Sequence, residues 1–233
     1  KGMMKADVSV IMPAAGLSLR MGANVRKPFI MVGDKPIFFY TLEKFSKLER
    51  VKEIIFVVNE KDRSTVIEKW SDELKAYKVT NIVTGGKRRQ DSIYNGLSHL
   101  DPDTNIVLVH DAVRPLVKND EIEAVIKVTE EKGAAIVASP MKLTVKKVDS
   151  SLEIVETVPR HDLWMAQTPQ GFKRDMLVNA YDKIKDTNEE FTDDAEVVEK
   201  AGQTVGIVSG SYDNIKITTR EDLKLAELLL VKC

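Results

Sequence analysis

The most constraining feature of this 233-residue sequence is an alternation of short, continuous apolar runs with longer stretches of helical periodicity. Uninterrupted apolar runs are typical of strands that are buried on both faces, and the helices between them supply the crossovers of a parallel sheet. The pattern therefore predicts a Rossmann-like α/β fold with a mostly parallel, twisted sheet. The predicted strands are 8–12, 53–58, 79–83, 105–109 and 134–139, and the predicted helices are 36–45, 63–77, 91–100 and 121–132.

The alternation stops after Pro140, where two extended segments, 143–148 and 152–158, flank a polar turn. No crossover helix separates them, so we predict a β-hairpin arm, about 141–160, that protrudes from a single domain spanning 1–233. We expect residues 1–3 to be a start-site or expression remnant. After the arm, the predicted elements are a helix over 173–185, a helix opening at 192–196 with Thr192 as its N-cap, strands over 205–208 and 214–217, and a closing helix over 219–231.

Charge and composition argue against several classes of partner. Thirty-five basic and 36 acidic residues leave a net charge of −1, which gives no bulk attraction for nucleic acid or for a membrane surface. No apolar stretch approaches the ~20 residues that span a bilayer. The single cysteine, Cys233, excludes an intrachain disulfide and fits a cytoplasmic location. Any phosphate binding must therefore come from local clusters.

Small and polar residues follow the ends of four predicted strands, at 13–16, 85–86, 110–111 and 139–140. Ligands of open parallel sheets bind beyond the carboxyl ends of the strands, so these four loops should converge on one site.

The first of these loops contains Pro13, Ala14, Ala15 and Gly16, and Arg20 follows it. Small residues let backbone N–H groups approach a phosphate or a base, and an arginine can grip phosphate oxygens. An ordinary turn with a solvated arginine is an equal alternative on spacing alone. Lys27 follows in the same stretch, and this order favours an anion site in which Lys27 acts as a point charge on a triphosphate.

His110 and Asp111 end the fourth predicted strand, and Arg114 follows shortly. A carboxylate there could hold Mg²⁺, whereas the alternative is a structural pair between Asp111 and Arg114. We predict that His110 packs in the strand. His99 and His161 have no cysteine or histidine cluster around them, so no zinc site is expected.

Two further segments carry weaker signals. Gly86 and Ser92 lie where a glycine turn meets a predicted helix start, so Ser92 could contact a base or ribose, while Lys87 and Arg88 could simply be solvated. Lys216 lies on the predicted strand 214–217, and alternation would put it on one face with Asn214 and Thr218.

Eight motifs occur in one order along the chain. They are P-A-A-G-x-x-x-R-M at 13–21, Lys27, G-G-x-x-R-x-D-S at 85–92, V-H-D-A-V-R-P at 109–115, T-V-x-R-x-x-L-W at 157–164, Q-T-P-Q at 167–170, T-D-D-A at 192–195 and D-N-I-K-I-T at 213–218. Each motif alone is weak, but together they closely resemble the 2-C-methyl-D-erythritol 4-phosphate cytidylyltransferases of the non-mevalonate isoprenoid pathway.

The resemblance implies a nucleotidyltransferase that transfers CMP from CTP to a small polyol phosphate, with Mg²⁺ as cofactor and a homodimer interlocked by the β-arm. It also implies roles for individual residues, with Thr144 and Arg160 reaching the site from the partner's arm. Catalytic cations are Arg20, Lys27 and Lys216; nucleotide-binding residues are Pro13, Ala14, Ala15, Gly16, Gly86, Ser92, Asp111 and Ala112; substrate-binding residues are Arg114, Thr144, Arg160, Thr168 and Thr192; and the residue near the metal is Asp111.

Two residues depart from the family pattern. Pro28 replaces a frequent glutamine and should stiffen its loop, and Leu143 replaces a frequent aspartate in the arm. The main alternative is a ribitol 5-phosphate cytidylyltransferase, whose first loop resembles L-A-G-G rather than the P-A-A-G found here. Less favoured alternatives are a sugar-1-phosphate nucleotidyltransferase that uses UTP or GTP, and a non-catalytic nucleotide-binding regulator.

Overall fold

A computed structural model describes residues 7–16 and 26–230 of the chain. Its strands are β1 (Val8–Pro13), β2 (Met31–Val32), β3 (Lys35–Pro36), β4 (Val51–Val58), β5 (Val79–Thr84), β6 (Ile106–Val109), β7 (Ala134–Pro140), β8 (Val145–Val148), β9 (Ile154–Val158), β10 (Trp164–Lys173) and β11 (Gly206–Ser209). Its α-helices are α1 (Ile37–Ser46), α2 (Glu60–Ala76), α3 (Arg89–Leu97), α4 (Asn119–Lys132), α5 (Arg174–Ile184), α6 (Asp194–Lys200) and α7 (Arg220–Leu230), and Lys27–Phe29 forms a short 3-10 helix.

Seven strands form the central sheet in the order β11-β7-β10-β6-β1-β4-β5. All of them run parallel except β10, which is antiparallel to both of its neighbours, β6 and β7. The predicted mostly parallel sheet is therefore confirmed. The carboxyl ends of the six parallel strands meet at one edge, where the four predicted loops lie.

Both faces of the sheet are buried, as the continuous apolar runs predicted. In β1, Val10 and Met12 pack in one core with α1, α2 and α4, while Ile11 packs in a second core with α3, α5 and α6. In β4, Phe56 and Val57 divide between the same two cores. Because adjacent residues of a strand point to opposite faces, these runs are apolar at nearly every position, and the buried exceptions Ser9 and Glu53 bond to each other.

The sequence did not predict β10, although it occupies the middle of the sheet. The strand contains Pro169 and Gly171 among polar residues, a composition that argues against a central strand. Its pairing with β7 shifts register between Ala166 and Gln170, so residues 167–169 depart from the ladder. This irregularity accommodates the proline in the sheet and directs the side chains of 167 and 168 towards the strand ends.

Two other local predictions were wrong. Residues 214–217 form no strand, because their backbone is bonded to neighbouring loops through pairs such as Ile217 N–H to Val113 O, at 3.0 Å. Thr192 is not the N-cap of α6, because the side chain of Asp193 accepts the Glu196 N–H bond and has the extended backbone of a cap.

The predicted hairpin is present as β8 and β9, which pair with each other and with no strand of the main sheet among the described residues. Its apolar side chains face solvent, with Leu143 76%, Leu152 81% and Ile154 63% exposed. In the parts of the chain that the structure describes, no helix has the length and apolarity that a bilayer crossing needs.

Candidate active site

The loop after β1 and the turn after β5 lie in direct contact at the edge of the sheet. A Cβ atom at Gly85 would come within 2.6 Å of the Ala15 Cβ, and one at Gly86 within 2.3 Å of the Asp91 Cβ. These distances leave no space for a side chain at either glycine. The Ser92 hydroxyl accepts a hydrogen bond from the Gly86 N–H at 3.1 Å, so the second predicted loop is fixed to the start of α3.

The backbone of the first loop is anchored on both sides by neighbouring strands. Ala14 donates its N–H to Val57 O at 2.7 Å, and Pro13 O accepts the N–H of Ala112 at 3.3 Å. Gly16 is exposed, and a Cβ there would meet no atom within 4 Å. The predicted nucleotide-binding residues of the loops after β1, β5 and β6 therefore share one surface. Arg20 lies outside the described residues.

Asp111 is the electrostatic centre of this edge. Its Oδ2 atom lies 3.0 Å from Lys216 Nζ and 3.3 Å from Arg114 Nε, and its side chain is almost fully buried. Burial alone would raise the pKa of Asp111, but the charges of Lys216, Arg89 and Arg114 hold it far below its ordinary value. Asp111 is therefore a permanent anion that orients a group of cations.

Arg114 and Lys216 are joined by the segment after β11. Arg114 donates from Nη1 to Asn214 O at 2.6 Å, and Asn214 donates from Nδ2 to Thr168 O at 2.8 Å. Asn214 is buried, whereas 43% of the Lys216 side chain is exposed, so the predicted common face of 214, 216 and 218 is wrong. The Lys216 ammonium is held at Asp111, while part of its side chain remains exposed. Arg114 lies in the site, with its guanidinium bonded to Asp111 and to Asn214.

His110 is buried beneath Asp111, as predicted, and packs against Phe45 with a ring-centroid distance of 4.6 Å. Its Nε2 atom lies 3.0 Å from Arg114 O, which only accepts hydrogen bonds, so the neutral ring carries its hydrogen on Nε2. Nδ1 then accepts the hydroxyl hydrogen of Thr168 at 2.9 Å. The same hydroxyl accepts the Asp111 N–H at 3.2 Å.

These bonds change what Thr168 can do in the predicted acceptor site. Its hydroxyl hydrogen is committed to His110, so Thr168 has no hydrogen left to donate to a phosphate oxygen. The Thr168 oxygen can still accept a hydrogen bond from a hydroxyl group of the substrate that receives CMP. His110 and Thr168 together fix the backbone that carries Asp111.

Lowering the pH should destabilise the fold through His110. Burial lowers its pKa to about 4, whereas in the unfolded chain it titrates near 6.5. The unfolded state then binds more protons between these values, so stability falls as the pH falls. We expect the free energy of unfolding to drop by about 2 kcal/mol between pH 7 and pH 5, and the drop to shrink in His110→Gln. Urea titrations measure both; equal slopes with pH in the two proteins would contradict the expectation.

Arg89 belongs to the site, although no individual role was predicted for it from the sequence. Its Nη2 atom lies 2.6 Å from Oδ2 of the buried Asp194, whose Oδ1 accepts the Tyr181 hydroxyl at 2.6 Å. Asp194 compensates the buried charge of Arg89, and Arg89 in turn helps to keep Asp111 ionised. The sequence signal that could have suggested the pair of Arg89 with Asp194 is the arginine of the motif at 85–92 together with the two aspartates of the motif at 192–195. Arg88 instead forms a local ion pair with Asp91 at 2.7 Å.

Lys27 lies in the 3-10 helix and is placed by its neighbours. Arg26 Nε lies 2.5 Å from Asp62 Oδ2, Pro28 is buried in the first turn, and Phe29 stacks on Trp70 with a centroid distance of 5.9 Å. Pro28 therefore fits the start of this helix, and its stiffening of the segment stays a prediction.

Three predicted acceptor-binding residues form no hydrogen bond or ion pair with Asp111, whose partners among the described residues are Thr168, Arg114 and Lys216. Thr144 and Arg160 are exposed at the base of the arm, where Arg160 Nη1 donates to Lys142 O. Thr192 is exposed, and its hydroxyl donates to Glu196 Oε2 at 2.8 Å. A single protomer therefore does not bring these three side chains to Asp111 by contact.

Asp111 also fits one ligand position of a magnesium ion. Within the described parts of the chain, no three His, Cys, Asp or Glu side chains form a metal-binding group. Mg²⁺ is often held through one or two carboxylates together with substrate phosphates and water, so a complete protein cage is not needed. Lys216 and Arg114 both contact Oδ2 of Asp111, so neither of these two ion pairs uses Oδ1. Asp111 would then be the residue that helps to hold a magnesium ion, which would neutralise substrate phosphate oxygens.

Comparison with known proteins gives one consistent result. The family model described as IspD, 2-C-methyl-D-erythritol 4-phosphate cytidylyltransferase, matches residues 8–232. A protein with this description from Clostridium botulinum (strain 657 / Type Ba4) is 44% identical over 224 residues, which cover 96% of this chain and 97% of the relative. One from Alkaliphilus metalliredigens is 44% identical over 229 residues, covering 97% and 93%.

Solved structures agree with the sequence relatives. The crystal structure of 4-diphosphocytidyl-2C-methyl-D-erythritol synthase from Anaerococcus prevotii is 32% identical, with a TM-score of 0.83 and coverage of 96% of each chain. The structure of 2-C-methyl-D-erythritol 4-phosphate cytidylyltransferase from Thermus thermophilus is 29% identical, with a TM-score of 0.79, and the match covers 97% of this chain and 99% of that one.

Proposed function

Because this chain belongs to the 2-C-methyl-D-erythritol 4-phosphate cytidylyltransferase family, we propose that its catalytic site is the surface built around Asp111 by the loops after β1, β5 and β6. The enzyme is a CTP-dependent nucleotidyltransferase of the non-mevalonate pathway. The ribitol 5-phosphate alternative is not favoured by these relatives. The observation that carries the site assignment is the pairing of Asp111 with Lys216 and Arg114 beside the glycine turn.

In this proposal the small residues hold the cytidine and the cations hold the phosphates. Ala14, Ala15 and Gly16 approach the nucleotide from one side, and Gly86 with Ser92 from the other. A phosphate oxygen of the acceptor attacks the α-phosphorus of CTP; a new P–O bond forms while the bond to the leaving pyrophosphate breaks. The acceptor phosphate is already ionised, so no general base is required, which agrees with a neutral, buried His110.

Phosphoryl transfer depends mainly on positioning and on stabilising charge. Lys216 is oriented by Asp111, and Lys27 by the anchored 3-10 helix; both cations then face charge that develops on the α-phosphate and the leaving group. Arg20 completes the set by resemblance. Mg²⁺, when bound, would neutralise phosphate oxygens, with Asp111 as its protein ligand.

Asp111→Asn should raise the magnesium requirement and lower the rate. A neutral amide is a poorer ligand for a hard cation, and it also leaves Arg114 and Lys216 without their shared anion. Magnesium titrations of initial rate for the variant and the wild type measure the shift. If the two titrations overlay, Asp111 has no part in binding the metal.

The proposed homodimer rests on the exposed arm. A two-stranded ribbon alone is marginally stable in water, and its apolar residues, including Leu152, Ile154 and Val155, face solvent in the protomer. Pairing with a second copy would bury them. It would also give the two exposed arm residues a role, because Thr144 and Arg160 would then serve the partner's site.

A pyrophosphate-release assay tests the function directly. CTP, UTP and GTP are each combined with 2-C-methyl-D-erythritol 4-phosphate or with ribitol 5-phosphate. We expect release chiefly with CTP and the branched acceptor, because a site that satisfies one set of hydroxyls disfavours a ligand that leaves buried polar groups unpaired. Equal or better kcat/KM with ribitol 5-phosphate would contradict the acceptor assignment.

In the same assay, Arg160→Lys should weaken use of the acceptor, since an ammonium cannot replace a bidentate guanidinium.

A further inference from the structure

The base of the arm is held by a tyrosine that lies outside the arm. The Tyr212 hydroxyl donates to Pro140 O at 2.8 Å, at the point where β7 ends. The Lys142 ammonium lies 3.2 Å from the centroid of the Tyr212 ring. An ammonium at this distance over an aromatic face is attracted by the ring quadrupole. Tyr212 therefore contacts the arm on both sides of Met141.

Tyr212 belongs to the loop that carries Lys216, and this loop is firmly anchored. Ser211 donates its N–H to the buried carboxylate of Glu121 at 2.5 Å, and its carbonyl accepts a bond from Gln167 Nε2 at 2.9 Å. Asn214, two residues after Tyr212, is buried and bonded to Thr168 O. The tyrosine therefore projects from a rigid support whose other end faces Asp111.

On the arm, Lys142 connects this support to the predicted acceptor-binding residues. Its carbonyl accepts a hydrogen bond from the Arg160 guanidinium, and Thr144 follows two residues later. Beyond these contacts, β8 and β9 are mostly exposed along their length. In the protomer, the direction of the arm is therefore set at its base.

We propose that Tyr212 and Lys142 form a latch of positioning residues that holds the base of the arm against the Lys216 loop. The latch fixes where the arm presents Thr144 and Arg160, and so controls use of the acceptor rather than of CTP. This inference rests on the proposed role of these two arm residues in binding the acceptor phosphate.

Three single variants and one double variant test the latch by steady-state kinetics. Tyr212→Ala and Lys142→Gln should each raise KM for 2-C-methyl-D-erythritol 4-phosphate by roughly fivefold, as expected for the loss of one cation–π contact, with little change in KM for CTP. The double variant should lose no more than Tyr212→Ala alone, because that variant already removes both the cation–π contact and the hydrogen bond to Pro140 O. Tyr212→Phe keeps the ring under the ammonium and loses only the hydroxyl bond to Pro140 O, so its rise in acceptor KM should be smaller than that of Tyr212→Ala.

Matched controls come from two similar contacts elsewhere. Tyr94→Phe removes a hydroxyl bonded to Asp182, and Lys69→Gln removes an ammonium 6.0 Å from the Trp70 ring. Neither residue lies at the base of the arm, so both kinetic constants should stay unchanged. Equal rises in both KM values, or additive losses in the double variant, would overturn the latch.

Hydrogen exchange separates failure of the latch from failure of the proposed function. The Met141 N–H bonds to Leu163 O, and the Leu163 N–H bonds to Arg160 O, across the base of the arm. Tyr212→Ala should speed exchange at both amides, and Tyr94→Phe should not. Unchanged exchange overturns the latch even if the wild type lacks activity, whereas faster exchange without a selective rise in acceptor KM overturns its role in positioning.

Discussion

Replacing Lys27 with alanine is expected to lower kcat by about 100-fold or more, the size of effect seen when one preorganised donor to a transition state is removed. The lysine is held by the 3-10 helix, between the ion pair of Arg26 with Asp62 and the stack of Phe29 on Trp70. These contacts hold the backbone of Lys27 in place before charge develops on the phosphates. The measurement is pyrophosphate release at saturating CTP and acceptor.

The fold should survive this substitution, because the residues that anchor the segment are unchanged. Thermal unfolding monitored by circular dichroism checks that point. Lys75→Ala, which removes an exposed cation from the end of α2, provides a control that should keep wild-type turnover. If Lys27→Ala keeps turnover within a few-fold of the wild type, Lys27 does not contact the reacting phosphates.

Mixing two inactive variants is expected to restore activity if the arm of one chain completes the site of the other. Arg160→Ala removes the guanidinium from the arm, and Lys27→Ala removes the cation from the body of the site. In a heterodimer, the chain that retains Lys27 would receive an arm that retains Arg160, which gives one intact site of two. Random exchange makes half of the dimers mixed, so about a quarter of wild-type specific activity should return.

The control for this experiment is a mixture in which both changes are carried by the same chain. Lys27→Ala with Arg160→Ala in one chain, exchanged with the Lys27→Ala single variant, leaves every site without Lys27 and should remain inactive. Subunit exchange is verified by native mass spectrometry before the assay. Verified heterodimers of the two single variants that stay inactive would show that the arm acts on its own protomer or not at the site.

The sequence predicted those strands of the fold whose residues are nearly all buried among apolar side chains. Runs such as Ile54 to Val58 are buried on both sides, which is the arrangement that a short, continuous apolar run between helices favours. It failed for β10, where Pro169 and Gln170 occupy the middle of the sheet. The Gln170 amide is satisfied at the start of α6, where its Oε1 accepts the Asp194 N–H at 3.1 Å. Such long-range partners cannot be read from a local pattern.

The candidate site likewise contains some residues that local sequence rules could predict and others that they could not. Small residues after strands, such as Ala15 and Gly86, could be placed by local rules, because close backbone approach requires them. The role of Thr168 could not be placed fully, since it depends on which nitrogen of His110 carries the hydrogen. Arg89 required knowledge that α3 and α6 meet, a contact between residues more than one hundred positions apart.

The arm has a topological property that sets it apart from the rest of the chain. It leaves the sheet at the end of β7 and returns at the start of β10, and these two strands are antiparallel neighbours, with Trp164 opposite Pro140. The excursion is thus an enlarged hairpin loop, closed at its base by the Met141–Leu163 hydrogen bond. Lengthening such a loop costs little chain entropy. Replacing it with a tight turn would leave the order and the directions of β7 and β10 in the sheet unchanged. Exchanging, trimming or grafting the arm would therefore leave the connectivity of the sheet and of the loops at its edge unchanged.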